Sequence, residues 1–243
     1  MGILLQVAIN LVSALIGLLV GMSWHWTRKY AQLRGSRKFW APFLNECPLF
    51  VLGRFREFSR FEQSGLVGAG DTMALSEIRT HLAKLGTREF SVVYSDRIVD
   101  GDAVKENLVL VGGPDVNLIT ERTLEQLNLT LKVKGPSGVY DSITGKLTTS
   151  EIDPITGNLQ RDFGVIIRAS NPFLASKHVV VIFGGYGYGT WAAARYVVSR
   201  EFLDKLRVLR TDYVECVIQA DVLLGSPGAI HQVVIRKLAL SNN

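Results

Sequence analysis

Cysteine is scarce: Cys47 and Cys216 are the only two in 243 residues. They stand far apart and outside any C-x-x-C pattern, so a disulfide framework is not expected and a cysteine zinc site lacks partners. Histidine is nearly as rare, and His81, His178 and His231 are dispersed with no metal-ligand spacing. No Gly-Lys-Ser/Thr phosphate loop is present, no serine sits in G-x-S-x-G, and Gly184 to Gly189 lacks the dinucleotide spacing. No metal and no cofactor is therefore expected. The carboxylates needed for a calcium loop are missing as well.

A second absence is local. Met1 to Trp26 carries no Asp, Glu, Lys or Arg. As a helix, Ile3 to Met22 is long enough to span roughly 30 Å of hydrocarbon, so residues 1–27 are expected to be a single transmembrane anchor. Gln6, Asn10 and Ser13 share a stripe with Gly17 and Gly21, a small-x-x-x-small arrangement that suits self-association of the helix into a homo-oligomer. Trp24, Trp26 and Tyr30 suit a headgroup belt, and Arg28, Lys29, Arg34, Arg37 and Lys38 follow. Those five account for the net charge of +5, so the excess is a membrane-side feature and no nucleic-acid partner is expected. The positive-inside rule puts the remainder on the cytoplasmic side of an inner membrane.

What remains has the composition of a packed domain: 47% of the chain is hydrophobic and 20% charged. Residues 28–47 read as a basic linker and 48–243 as an α/β domain. Pro48 to Gly53, Phe90 to Tyr94, Leu108 to Val111 and Val179 to Phe183 are short apolar runs with strand character. Helical periodicity covers Met73 to Leu85, with Asp71 expected as its N-cap and Gly86 as its end. A second helix is expected from Asn117 to about Leu127, and a third from Trp191 to about Arg207. A turn or short helix is expected from Asp100. This alternation predicts a Rossmann-like, mostly parallel sheet. Residues 129–170 form a β-hairpin excursion with an internal near-repeat, Asp141-Ser-Ile-Thr-Gly-Lys-Leu147 and Asp153-Pro-Ile-Thr-Gly-Asn-Leu159. Asp first and Gly four on is a tight-turn pattern. Glu215 to Leu223 and Gln232 to Leu238 read as an antiparallel edge pair.

Three glycine-rich turns precede helices: Gly65 to Gly70, Gly112-Gly113, and Gly184 to Gly189. Free N–H groups at a helix start attract anions, and glycine lets a ligand approach the backbone. The expected ligand-binding set is Gly68, Gly70, Asp71, Gly112, Gly113, Asn117, Gly185, Gly187, Tyr188 and Thr190, with Tyr186 and Tyr188 placed to stack on a ring. Asp115, Asp162 and Asn171 are the other polar groups nearest this crevice. No catalytic residue is evident. Glu77 and Glu121, one turn into their helices, are the candidates should the domain split a glycosidic bond.

Val111-Gly-Gly-Pro-Asp-Val-Asn117, together with Asn171-Pro172 and the later Gly185-x-Gly-x-Gly-Thr190-x-x-Ala-Ala, resembles paired motifs in the conserved domain of archaeal surface-layer proteins. Similar strand–Gly-Gly-Pro–helix units occur in nucleotide-sensing Rossmann-like domains of bacteria. The resemblance covers about a sixth of the chain and implies a ligand or interaction domain without established catalytic residues. The expected function is a membrane-anchored, sensor-like domain for a nucleotide or another anionic small molecule. The alternatives are a nucleotide glycohydrolase and a non-catalytic envelope or structural module.

Overall fold

The computed structural model describes residues 2–58, 60–87, 89–98, 101, 103–134 and 138–238, without the side chains of 3–5, 7–9, 11–12 and 25–33. Asp100 and Asp102, and the side chains of Trp26, Arg28, Lys29 and Tyr30, lie outside the described residues; the short helix expected after Asp100 is a 3-10 turn at Ala103–Lys105. The chain divides into two units, Met1–Phe39 and Trp40–Asn243.

The first unit is the greater part of one helix, α1, Gly2–Asn45. It overturns the anchor. Among the described residues no helix is long and apolar enough to cross a membrane. The helix also does not stop at an interface, but runs on through Arg34, Arg37 and Lys38. The single-pass topology and the inner-membrane location fall with it.

The second unit is α/β. Its elements run β1 (Leu49–Leu52), α2 (Ala69–Leu85), β2 (Ser91–Tyr94), β3 (Leu108–Val111), α3 (Leu118–Gln126), β4 (Leu131–Val133), β5 (Val139–Asp141), β6 (Leu147–Thr148), β7 (Glu151–Ile152), β8 (Leu159–Ser170), β9 (His178–Gly184), α4 (Gly187–Val197), α5 (Arg200–Leu209), β10 (Val214–Leu223) and β11 (Ser226–Lys237). The main sheet has the order β11-β10-β8-β9-β3-β1-β2, with β7 paired to β8.

The mostly parallel Rossmann-like sheet is a second correction. Only β2-β1-β3-β9 are parallel; β9/β8, β8/β10, β10/β11 and β8/β7 are antiparallel. Loop length decides it. A parallel return needs a crossover of about a dozen residues or more. The turn from β8 to β9 is only 171–177, closed by Asn171 N–H to the Lys177 carbonyl (2.8 Å) and by the Asn171 amide on the Val104 and Glu106 carbonyls. β10 turns into β11 over Leu224-Gly225.

Both faces of this sheet are covered. Phe163, Val165 and Ile167 of β8 join Ile119 of α3 and Leu131 and Val139 of the small sheet β4-β5-β6 in one core. Gly164, pointing the other way as strand alternation requires, faces Ala193 of α4. α2 packs beside α4. The buried run Val179–Phe183 is the central strand its composition implied. Where one helix was expected after Gly189, α4 and α5 are separated at Val198-Ser199, and the Ser199 hydroxyl caps α5 through Phe202 N–H (3.2 Å). The near-repeat makes two alike turns. Asp141 and Asp153 each accept backbone N–H groups two residues on, and Gly145 and Gly157 adopt φ of 72° and 69°.

Candidate functional site

Chain connections leave β1 and β3 in opposite directions, so a crevice between their carboxyl ends would be the usual ligand position in an α/β sheet. Here that crevice is closed by the chain itself. A Cβ on Gly53 would lie 2.6 Å from Val116 Cγ2, and one on Gly112 would lie 3.2 Å from the same atom. Arg54 N–H donates to the Val116 carbonyl (3.1 Å), while the Arg54 guanidinium turns away to Asp96 (Nε 3.1 Å). Gly112 sits at φ 100°, which glycine alone adopts readily.

Asn117 is wholly buried and fully engaged. Its Oδ1 accepts from Ile119 and Thr120 N–H, capping α3, and its Nδ2 donates to the Val51 and Val111 carbonyls at 3.0 Å each. It ties β1, β3 and α3 together. A Cβ on Gly113 would meet Asp115 Oδ1 at 2.5 Å.

The other two glycine turns come together. Gly70, in the first turn of α2, lies against Gly187 at the start of α4; a Cβ on Gly187 would be 3.1 Å from Gly70 Cα. Two positive helix ends thus meet, and buried carboxylates answer each of them. Asp162 of β8 accepts from Tyr186 N–H (3.1 Å), Gly189 N–H and the Ser150 hydroxyl (2.7 Å). Burial pushes its carboxyl up to about 6 against those hydrogen bonds. Asp71 is not the N-cap of α2. That position is Gly68, which has no side chain to cap with. Asp71 is instead buried in the first turn, pushed up to about 6 by burial and by Asp115, with the Thr190 hydroxyl on its carboxylate opposing the shift. Gly185 is held by packing against Ser150 and Phe163.

Beside this junction is a pocket of about 580 Å³, lined by Gly68, Ala69, Gly70, Met73, Leu159, Tyr186, Gly187, Tyr188, Trp191 and Gly225. It gathers Gly68, Gly70, Gly187 and Tyr188 of the expected set. Asp71 and Thr190 lie next to it, linked to each other. Gly112, Gly113 and Asn117 belong to the closed crevice. Met73, Leu159, Trp191 and Gly225 were not foreseen. For two of them the signal was there: Trp191 follows Tyr188, and Met73 follows Gly70, at the i,i+3 spacing that shares a helix face. Of the catalytic candidates, Glu77 accepts from the Trp191 indole N–H (3.4 Å), whereas Glu121 is exposed on α3. Among the described residues no three His, Cys, Asp or Glu side chains are placed to hold a metal ion.

Asp71 carries a testable consequence. Its folded-state pKa near 6 stands above the ordinary 3.8, so the neutral form favours folding below about pH 4. That advantage is lost as pH rises through 4 to 6, leaving a cost of about 3 kcal/mol at neutral pH. Asp71→Asn keeps the acceptor for Thr190 without the charge. It is expected to be about 2–3 kcal/mol more stable than the parent at pH 7.5 and equal to it at pH 4, by urea denaturation at both pH values. An unchanged difference between pH 4 and 7.5 would contradict the assignment.

No protein-family model matches this sequence, and no curated protein matches it.

Proposed function

We propose that the domain binds a small molecule with a planar ring and an anionic group, of the nucleotide class, in the pocket between α2, α4 and the β10–β11 turn. The observation that carries this reading is the pairing of an aromatic wall with an open helix start. Tyr186, Tyr188 and Trp191 line the pocket beside Gly68, Ala69 and Gly70, where α2 begins without a side-chain cap. Rings stack on such side chains, and helix N-termini take phosphate. The volume lies in the range of small-molecule sites, roughly 300–1,000 Å³. Asp162 accepts N–H groups at the start of α4, whereas Asp71 stands in the first turn of α2 without a side-chain cap hydrogen bond there, so the anionic group is assigned to α2. Asp71 lies in that first turn, so affinity for an anion should rise as pH falls from 8 to 6, and Asp71→Asn should flatten the trend.

A catalytic second reading rests on Glu77, whose carboxylate adjoins the pocket through Trp191. It would serve a nucleotide glycohydrolase by stabilising an oxocarbenium-like state. One experiment separates the two. Thermal stability of the full chain is measured against a panel of nucleotides, with product analysis of each mixture. A ligand at about 100 times its Kd adds about 2.7 kcal/mol, and Tyr188→Ala should abolish that gain. A shift without base release supports binding alone; base release lost in Glu77→Gln supports the hydrolase. Failure of every nucleotide to shift the parent protein overturns both.

A further inference from the structure

The pocket beside the start of α2 has no positive side chain in its wall. Among the described residues, those that line it include no Lys, Arg or His. Two carboxylates stand beside it instead. Asp71 Oδ2 is 3.1 Å from where a Cβ on the lining Gly68 would stand, and Glu77 accepts from the indole N–H of the lining Trp191.

The donors that the wall offers are neutral. The first N–H groups of α2 have no acceptor within their own helix. Tyr186 and Tyr188 add two phenol hydroxyls, and neither has a hydrogen-bond partner among the described residues. The Tyr188 hydroxyl reaches across to 3.7 Å from a Cβ built on the lining Gly225. Such donors and a helix start, worth roughly half a positive charge, answer one negative charge. A phosphate monoester carries about 1.5 to 2 negative charges at pH 7. The excess would face Asp71 and Glu77 with no cation to meet it, and an unanswered charge in a partly desolvated site is costly.

We propose, resting on the nucleotide reading of this pocket, that it takes ring compounds with a single negative charge: a nucleoside phosphodiester in preference to the monoester or triphosphate of the same nucleoside. Esterifying the phosphate removes one charge and leaves the ring, the sugar and the oxygens that α2 and the tyrosines would bind.

Calorimetric titration of the full chain tests this with adenosine, its 5′-monophosphate, the methyl ester of that monophosphate and the triphosphate, and then with the guanosine, cytidine and uridine series. At pH 8 the methyl ester is expected to bind about tenfold tighter than the free monophosphate, with the triphosphate weakest. The uncharged nucleoside should also bind more weakly than the ester, having nothing for α2 to hold. At pH 5 the monophosphate too carries one charge, because its second pKa is about 6, and the two should bind alike. Met73→Lys places a cation in the wall at a position 40% exposed, and should turn the preference at pH 8 toward the monophosphate. Met73→Gln, of similar length and uncharged, should keep the parent's order, which separates the charge from the loss of methionine. A monophosphate or triphosphate bound as tightly as the ester at pH 8 overturns this inference and leaves the nucleotide reading standing. So does a preference for the ester that persists at pH 5, since the methyl group and not the charge would then be its cause. Failure of every compound in all four series to bind overturns the nucleotide reading itself.

Discussion

Gly189→Ala is expected to destabilise the domain by about 4 kcal/mol or more, enough to remove most of a typical domain's stability. A methyl at this position would fall far inside contact distance of the Phe163 carbonyl oxygen and 2.9 Å from Asp162 Cγ. Neither neighbour can yield. Phe163 sits in β8, hydrogen-bonded to β9 on one side and β10 on the other, and its carbonyl accepts from Gly185 N–H (3.1 Å). Asp162 is fixed by Ser150 and by the first N–H groups of α4. The helix must therefore move out, which opens the contact of Ala193 with Gly164 and takes Asp162 off the helix start. Gly17→Ala is the control. Nothing lies within 4 Å of its added methyl, so helix propensity alone predicts a gain of about 1 kcal/mol. Urea denaturation followed by circular dichroism checks both. A Gly189→Ala protein within 1 kcal/mol of the parent would mean that α4 does not seat on β8 through this glycine.

The same glycines explain how far the sequence could be read. Strand runs such as Val179–Phe183 and Leu108–Val111, the α3 cap at Asn117 and the paired Asp–Gly turns follow from local rules, and the local structure obeys them. Strand direction does not follow from local rules. It was set by the length of 171–177 and by the Asn171 contacts with residues 104 and 106, distant in sequence. Nor could the sequence say whether a glycine turn cradles a ligand or admits another segment of backbone. Gly53 and Gly112 admit Val116, and Gly70 admits Gly187. At the amino end, the absence of charge matches a membrane signal. The helix formed there instead runs on past the basic residues, and no described stretch has the apolar length for a crossing. The pocket was half legible: Tyr186, Tyr188 and Gly187 announced themselves. Leu159 and Gly225 reach it from hairpins whose position depends on the antiparallel half of the sheet.

That half also holds the second large effect. Glu215 is wholly buried on β10, yet it is surrounded by donors. Its carboxylate accepts from Thr130 N–H (3.0 Å), Leu131 N–H (3.3 Å) and the Thr130 hydroxyl, and pairs with Arg236 Nε at 3.5 Å. Arg236 also binds Asp141 of β5. Although burial works against ionisation of Asp141, Arg236, Thr144 and Ile143 N–H together hold its carboxyl down at about 2. The small sheet is thereby fastened to the main one by a polar network rather than by apolar contact alone. Glu215→Ala leaves Arg236 and two N–H donors without this partner, so a loss of about 3–5 kcal/mol is expected. Glu215→Gln retains an acceptor and the shape and should lose less, about 1–2 kcal/mol. If the network is the fastening, hydrogen exchange in Glu215→Ala should rise first in 130–133 and 139–148, while β3 and β9 stay protected under conditions where most molecules remain folded. Uniform acceleration across both sheets would show that the small sheet does not open separately. A loss below 1 kcal/mol in Glu215→Ala would show that apolar packing of Leu131 and Val139 suffices to hold it.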